Sequence, residues 1–183
     1  CLIHCPQKTK SLDTLYTVQY LGNVVEGDIV RYLNVHVSEL KRAAISMIKD
    51  GKAVWFGCDV GKMLDGELGA LDADLYDYQS IYGTNVGMDK PTRLDYGDSR
   101  MTHAMVLCGV DLDQRGRPTK WRVENSWGET GEGKGYLTMT DEWFDEYVYE
   151  VAVETSYLGD GHRKALKAKA VVLPPWDPMG ALA

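Results

Sequence analysis

Between Met101 and Gly128 the sequence reads MTHAMVLCGV, then DLDQRGRP, then TKWRVENSWG, and no other stretch leaves the chain so few ways to fold. The outer pieces carry the apolar, β-branched and aromatic residues that fit a pleated surface. The middle piece is charged and bounded by Gly116 and Pro118, so it predicts the turn of an antiparallel hairpin. A register that sets His103 opposite Asn125, Met105 opposite Val123 and Leu107 opposite Trp121 centres that turn on Gln114. Because side chains alternate along a strand, one face then holds the imidazole, the carboxamide and the apolar residues, and Glu124, Arg122 and Lys120 point away. A slip of two residues preserves that face and a slip of one destroys it. A shared face is therefore a firmer expectation than direct contact.

An Asn oxygen beside a His can accept the proton of one ring nitrogen, which fixes the tautomer and leaves the other nitrogen to face a nucleophile. A buried His bonded to an Asn is also ordinary core chemistry, and spacing alone does not separate the two. The flanking residues add to the first reading. Thr102-His103-Ala104 ahead of one strand, and Glu124-Asn125-Ser126-Trp127-Gly128 closing the next, resemble the histidine and asparagine motifs of papain-like cysteine proteases, whose triad is Cys-His-Asn. The phrases LYTVQYLGNVV, IKDGKAVWFGCDVGK, LTMTDEWFDEYVYEV and PPWDPMGALA resemble the bleomycin hydrolase family, an intracellular aminopeptidase branch of that superfamily. The likeness runs from about Leu12 to Ala183 and is weakest over 22–36, 84–98 and 154–170.

That resemblance implies an α+β, papain-like fold. The chain would supply mainly the antiparallel sheet or barrel half, with a preceding helix and an extended C-terminal tail. It implies thiolate attack on peptides and on small amide-bearing molecules, with His103 as the base that later protonates the leaving amine and Asn125 orienting its ring. Trp127 would shield their hydrogen bond from water. It implies no cofactor, a cytoplasmic location and a homohexameric ring. A papain-like cleft is open at both ends, so removal of single N-terminal residues needs something that fills one side and holds the substrate ammonium. The tail suits both tasks: Pro174, Pro175 and Pro178 stiffen it, Trp176, Met179 and Leu182 offer apolar anchors, and the carboxylate at Ala183, or at Leu182 after trimming, could pair with the amine. An ordinary frayed terminus is the alternative.

Composition narrows the rest. The 183 residues, 44% of them hydrophobic, suffice for one globular core. A net charge of -7 has the wrong sign for a phosphate-binding surface, which argues against nucleic acid. No apolar run approaches the roughly 20 residues that span a bilayer, so a membrane is not expected. Four cysteines, Cys1, Cys5, Cys58 and Cys108, are sparse for a disulfide framework and read as buried free thiols. Cys1-Leu2-Ile3-His4-Cys5 gathers zinc-ligand types, yet no second pair follows at finger spacing, so no metal is assigned.

Along the chain, 1–36 reads as a lead-in to the papain-like fold, with strand character at Leu15–Tyr20 and a turn at Gly22-Asn23. Residues 37–157 read as the sheet half. They open with a helix capped by Ser38, stopped at Gly51 and facing inward with Leu40, Ala44, Met47 and Ile48. A buried strand over Ala53–Val60 follows. The segment Leu75–Gly83 resembles one near the family's substrate cleft, and Thr84–Ser99 reads as a loop. Gly131-x-Gly133-x-Gly135 lacks the Lys and the helix of a phosphate loop and reads as a flexible turn. Strands at Tyr136–Thr140 and Tyr149–Val153 flank a helical turn carrying Trp143, Phe144 and Tyr147. Residues 158–183 comprise a basic helix over His162–Ala170 and the tail entering the cleft.

A cysteine protease also needs a thiolate and an oxyanion donor. The resemblance implies a nucleophile that normally follows a Gln, precedes an aromatic at a helix start and lies before the histidine, and none of the four cysteines has that context. The chain opens on Cys1 and its first Met is Met47, so the expectation is a portion of a longer enzyme, inactive alone, with Cys and Gln contributed from upstream. The rival expectation is a non-catalytic interaction module that binds a partner through its apolar tail.

Overall fold

The structure is a computed structural model that describes residues 1–22, 24–129 and 131–182. In chain order its elements are β1 (Leu2–Ile3), β2 (Thr14–Val18), β3 (Tyr32–Asn34), α1 (Val37–Lys49), β4 (Val54–Cys58), β5 (Leu64–Asp65) and β6 (Ala70–Leu71). Then come α2 (Tyr78–Tyr82), α3 (Lys90–Asp95), β7 (His103–Leu112), β8 (Pro118–Glu124), β9 (Tyr136–Thr140), α4 (Asp141–Tyr147), β10 (Val148–Val151), α5 (Asp160–Ala165) and β11 (Val171–Leu173). The strands join in the order β11-β2-β3-β1-β10-β4-β7-β8-β9-β6-β5, antiparallel except where β11 meets β2, β1 meets β3 and β6 meets β9. The architecture is α+β, a large, mostly antiparallel sheet with few helices.

The hairpin forms, two residues out of the expected register. Leu107 lies opposite Val123 and Val106 opposite Glu124. The turn decides this. Gly116, at φ 77°, takes the left-handed conformation and donates to the Asp113 carbonyl at 2.9 Å, while the Asp113 N–H reaches the Arg117 carbonyl at 2.8 Å. The loop is thereby centred on Arg115 and not on Gln114. An even slip keeps the face intact, so Met105, Leu107, Trp121 and Val123 are all buried together. An extra residue at Cys108 shifts the register by one, and that bulge returns Val110 to the inner side opposite Trp121.

One face of the sheet is covered by α1, whose Leu40, Ala43, Ala44 and Met47 pack against Phe56, Met105, Leu107, Trp121 and Phe144. Ile48, expected inside, is only half-buried. The helix is capped two residues before Ser38: the His36 imidazole accepts the Ser38 N–H at 3.3 Å, and the chain leaves the helix at Asp50. At the far end of the sheet, Trp121 Nε1 donates to Asp141 at 3.0 Å, and Lys41 bridges Asp141 and Asp145 at 2.8 and 2.7 Å.

Residues 84–99, expected as a loop, contain α3. Asp89 caps it by accepting the Thr92 N–H at 2.9 Å, and Pro91 sits in its first turn, where a missing N–H is harmless. Two buried cations fasten this helix to the end of α4. Lys90 Nζ donates to the carbonyls of Asp145 and Val148 at 2.8 and 2.6 Å, and Arg93 bonds the Glu146 carbonyl at 3.0 Å. Burial holds the Lys90 ammonium down to about 7.

The end of the chain also departs from expectation. The helix over His162–Ala170 is α5, which begins earlier and stops at Leu166, because Val171–Leu173 is drawn into parallel pairing with β2. The tail is not extended throughout: Pro178–Leu182 winds into a 3-10 turn that Pro178 opens, in the first turn where a missing N–H costs nothing. The expected turn at Gly22-Asn23 falls partly on Asn23, outside the described residues.

Candidate active site

His103 opens β7, where Cys58 is its partner across β4. The approach to it is fixed from below. The Thr102 N–H donates to the Cys58 carbonyl at 2.9 Å, and Thr102 Oγ1 reaches the buried Asp59 at 3.3 Å. Asp59 also accepts from Ser99 Oγ at 2.8 Å, and Ser99 meets the Tyr149 hydroxyl at 2.6 Å. Burial raises the Tyr149 phenol to about 12, so it stays a neutral partner in this network.

Asn125 stands one residue past β8, and its N–H donates to the Gly135 carbonyl at 2.9 Å. The glycine run is what permits this. A Cβ on Gly133 would lie 1.9 Å from the Tyr136 carbonyl oxygen, and Gly135, at φ 87°, would place one 2.8 Å from the Gly128 oxygen. The expected flexible turn is thus a tight cradle that seats the Asn backbone; Thr130 within it lies outside the described residues.

Asn125 Oδ1 lies 2.8 Å from His103 Nε2 and also accepts the Ser126 N–H at 2.8 Å. The second bond fixes the amide, because an NH₂ in that position would face another donor. Oδ1 can only accept, so Nε2 carries the proton and Nδ1 presents its lone pair. Nδ1 has no hydrogen-bond partner among the described residues. The Trp127 ring lies 5.0 Å from the imidazole, tilted by 32°, and is itself half-exposed.

Three of the four cysteines are held as neutral thiols. Cys58 is fully buried and donates to the His103 carbonyl at 3.7 Å; burial and the neighbouring Asp59 push its thiol far up. Cys5 and Cys108 are also raised by burial. All four are free thiols, but only Cys5 and Cys58 are buried. His4, in the Cys-His-Cys run, is spent on the core: its Nδ1 bonds the Val35 carbonyl at 2.9 Å, and burial lowers it to about 4.

A broad groove near α2 is lined by Tyr76, Tyr78, Tyr82, Asp77, Asp145 and Glu146, and neither His103 nor Asn125 contributes to it. The tail packs elsewhere. Met179 is buried beside Ile3, Leu94 and Tyr149, and a small cavity there is shared with Met101, two residues before His103. Of the expected apolar anchors, Trp176 is 83% exposed and does not serve as one here. Ala183 lies outside the described residues.

The sequence model of the Peptidase C1-like family matches residues 1–180. The chain belongs to the Peptidase C1-like family. Its relatives include aminopeptidase C of Lactococcus lactis subsp. cremoris, 49% identical over the whole chain and 42% of the relative, and human bleomycin hydrolase, 49% identical over the whole chain and 41% of the relative. The crystal structure of PepW from Lactobacillus rhamnosis superposes with a TM-score of 0.94 at 50% identity, over 98% of this chain and 41% of that one. This Peptidase C1-like chain therefore spans about two fifths of the length of the curated relatives it matches. No helix among its described residues is long and apolar enough to cross a membrane.

Proposed function

We propose that this chain supplies the base and the orienting amide of a cysteine aminopeptidase. His103 Nδ1 takes the proton of a thiol held by the rest of the enzyme, the thiolate attacks the amide carbonyl, and the imidazolium returns that proton to the leaving amine. An acyl-enzyme forms and water resolves it. The observation that carries this reading is the 2.8 Å contact from His103 Nε2 to an Asn125 oxygen that the Ser126 N–H holds in place. It commits Nε2 as donor and frees Nδ1 for chemistry. Trp127 limits water at that bond. The carboxylate of Ala183, or of Leu182 after trimming, holds the substrate ammonium and restricts the enzyme to N-termini. Substrates are peptides and small amide-bearing molecules, handled without a cofactor in a homohexameric, cytoplasmic enzyme; no membrane or nucleic acid takes part. The sheet half alone lacks the thiolate, so pure 1–183 does not hydrolyse a fluorogenic aminoacyl amide.

The test is His103→Ala in the full-length enzyme, which removes nearly all turnover while substrate still binds. Turnover near the wild-type rate would overturn the assignment.

A further inference from the structure

The prolines of the tail stiffen it but do not choose its direction. That choice falls to a buried ion pair. Asp177 Oδ2 lies 3.1 Å from Lys10 Nζ, and the two side chains are only 11% and 3% exposed. Lys10 in turn donates to Gln7 Oε1 at 2.6 Å, an oxygen that also accepts from Cys5 Sγ at 3.3 Å, and Gln7 Nε2 donates to Asp95 at 2.6 Å. The pair is thus tied to the body of the fold at β1's exit and at the end of α3.

The other Asp177 oxygen acts on the tail itself. Oδ1 accepts the Met179 N–H at 3.0 Å, and the Asp177 carbonyl accepts the Gly180 N–H at 2.8 Å, which together start the 3-10 turn. One carboxylate therefore grips the scaffold with one oxygen and shapes the terminal turn with the other. The turn drops Met179 into the pocket shared with Met101, and Gly180 packs where a Cβ would lie 3.4 Å from Val18. Asp177 and Lys10 touch neither His103 nor Asn125.

We propose that Lys10 and Asp177 are the positioning pair for the C-terminal carboxylate, and so set the preference for free N-termini without touching substrate. This rests on the reading of the C-terminus as the amine clamp. Breaking a buried pair leaves an uncompensated charge that seeks water, and the cheapest route to water is release of the tail.

The experiment uses the full-length enzyme with Asp177→Asn, Lys10→Met, both together, and a deletion of Pro178–Ala183. Asp177→Asn keeps an oxygen for the Met179 N–H and replaces the oxygen facing Lys10 with an NH₂ that cannot accept from it. Each is assayed on one fluorogenic peptide with a free and with an acetylated N-terminus. The ratio of kcat/KM, free over acetylated, is expected to fall at least about tenfold in each single variant, with kcat on the acetylated peptide no lower than in wild type. The double variant should fall no further than the singles, since the two residues act as one. A purely structural role would lower both substrates together, and that result overturns the proposal. If the deletion collapses the ratio and both single variants stay within about twofold of wild type, the clamp stands and the positioning pair falls. If the deletion leaves the ratio unchanged, the clamp itself falls.

Discussion

Asn125→Ala in the full-length enzyme separates an orienting amide from a structural one. The side chain accepts two hydrogen bonds, from His103 Nε2 and from the Ser126 N–H, each at 2.8 Å. Ser126 is exposed, so water replaces the second bond and stability changes by less than about 0.5 kcal/mol. The first is different, because its donor becomes an imidazolium when it takes the thiol proton. A hydrogen bond to a charged group contributes about 1.5–3 kcal/mol. At 1.36 kcal/mol per decade, its loss lowers kcat about 10- to 150-fold, well short of the His103→Ala loss. Asn125→Asp keeps the acceptor and adds a negative charge that favours the imidazolium, so the upper limb of the pH–rate profile moves to higher pH. Steady-state rates across pH, with thermal melts of the same samples, make the measurement. A wild-type kcat for Asn125→Ala would refute the orienting role. A fall in Tm large enough to account for the lost activity would return the pair to ordinary core chemistry.

Gly135→Ala forces a side chain into a left-handed backbone 2.8 Å from a carbonyl oxygen, so it should displace Asn125 and lower kcat more than tenfold by a rough reckoning, while the HSQC signals of α1 residues stay in place; unchanged activity refutes the cradle. Acid sensitivity should trace to His4, whose folded value of about 4 lies below its ordinary 6.5. Above pH 6.5 both states are neutral and stability is complete; as pH falls the unfolded chain protonates first, and about 3 kcal/mol is lost by the time pH reaches 4. Urea midpoints for wild type and His4→Gln at both ends of that window check this, and equal pH dependence refutes it. Lys90 and His36 also face His4, and both residues are retained in the variant.

The inner face of the hairpin was legible because alternation survives any even slip, and so were β4, β9 and the aromatic side of α4. The register was not, since it depended on whether Gly116 closed a three-residue loop, a choice that strand patterns do not encode. The Asp89-Lys90-Pro91 start of α3 was present in the sequence, but the glycines and acids around it outweighed a six-residue helix whose stability comes from buried contacts with α4. His103 and Asn125 could be named from their flanks. Their supports could not: the Gly133–Gly135 cradle resembled slack, and Lys10 with Asp177 gave no local signal of pairing across nearly the whole chain. The apolar residues of the tail drew attention to Trp176, which the fold leaves in solvent, whereas the choice of path rests on a carboxylate.

The strand order has a bearing on how the molecule comes into being. The two residues of β1 sit between β3 and β10, so the middle of the sheet joins the first strand of the chain to one of the last. Closing that junction means searching over the longest loops the chain can form, and such topologies fold in milliseconds to seconds, not microseconds. The β7–β8 hairpin needs no such search. On a ribosome it can form before residues 148–151 have emerged, and β11 with its 3-10 turn can dock only after β2 has found its place. The terminal turn is thus seated on a sheet edge that must already be in place to receive it.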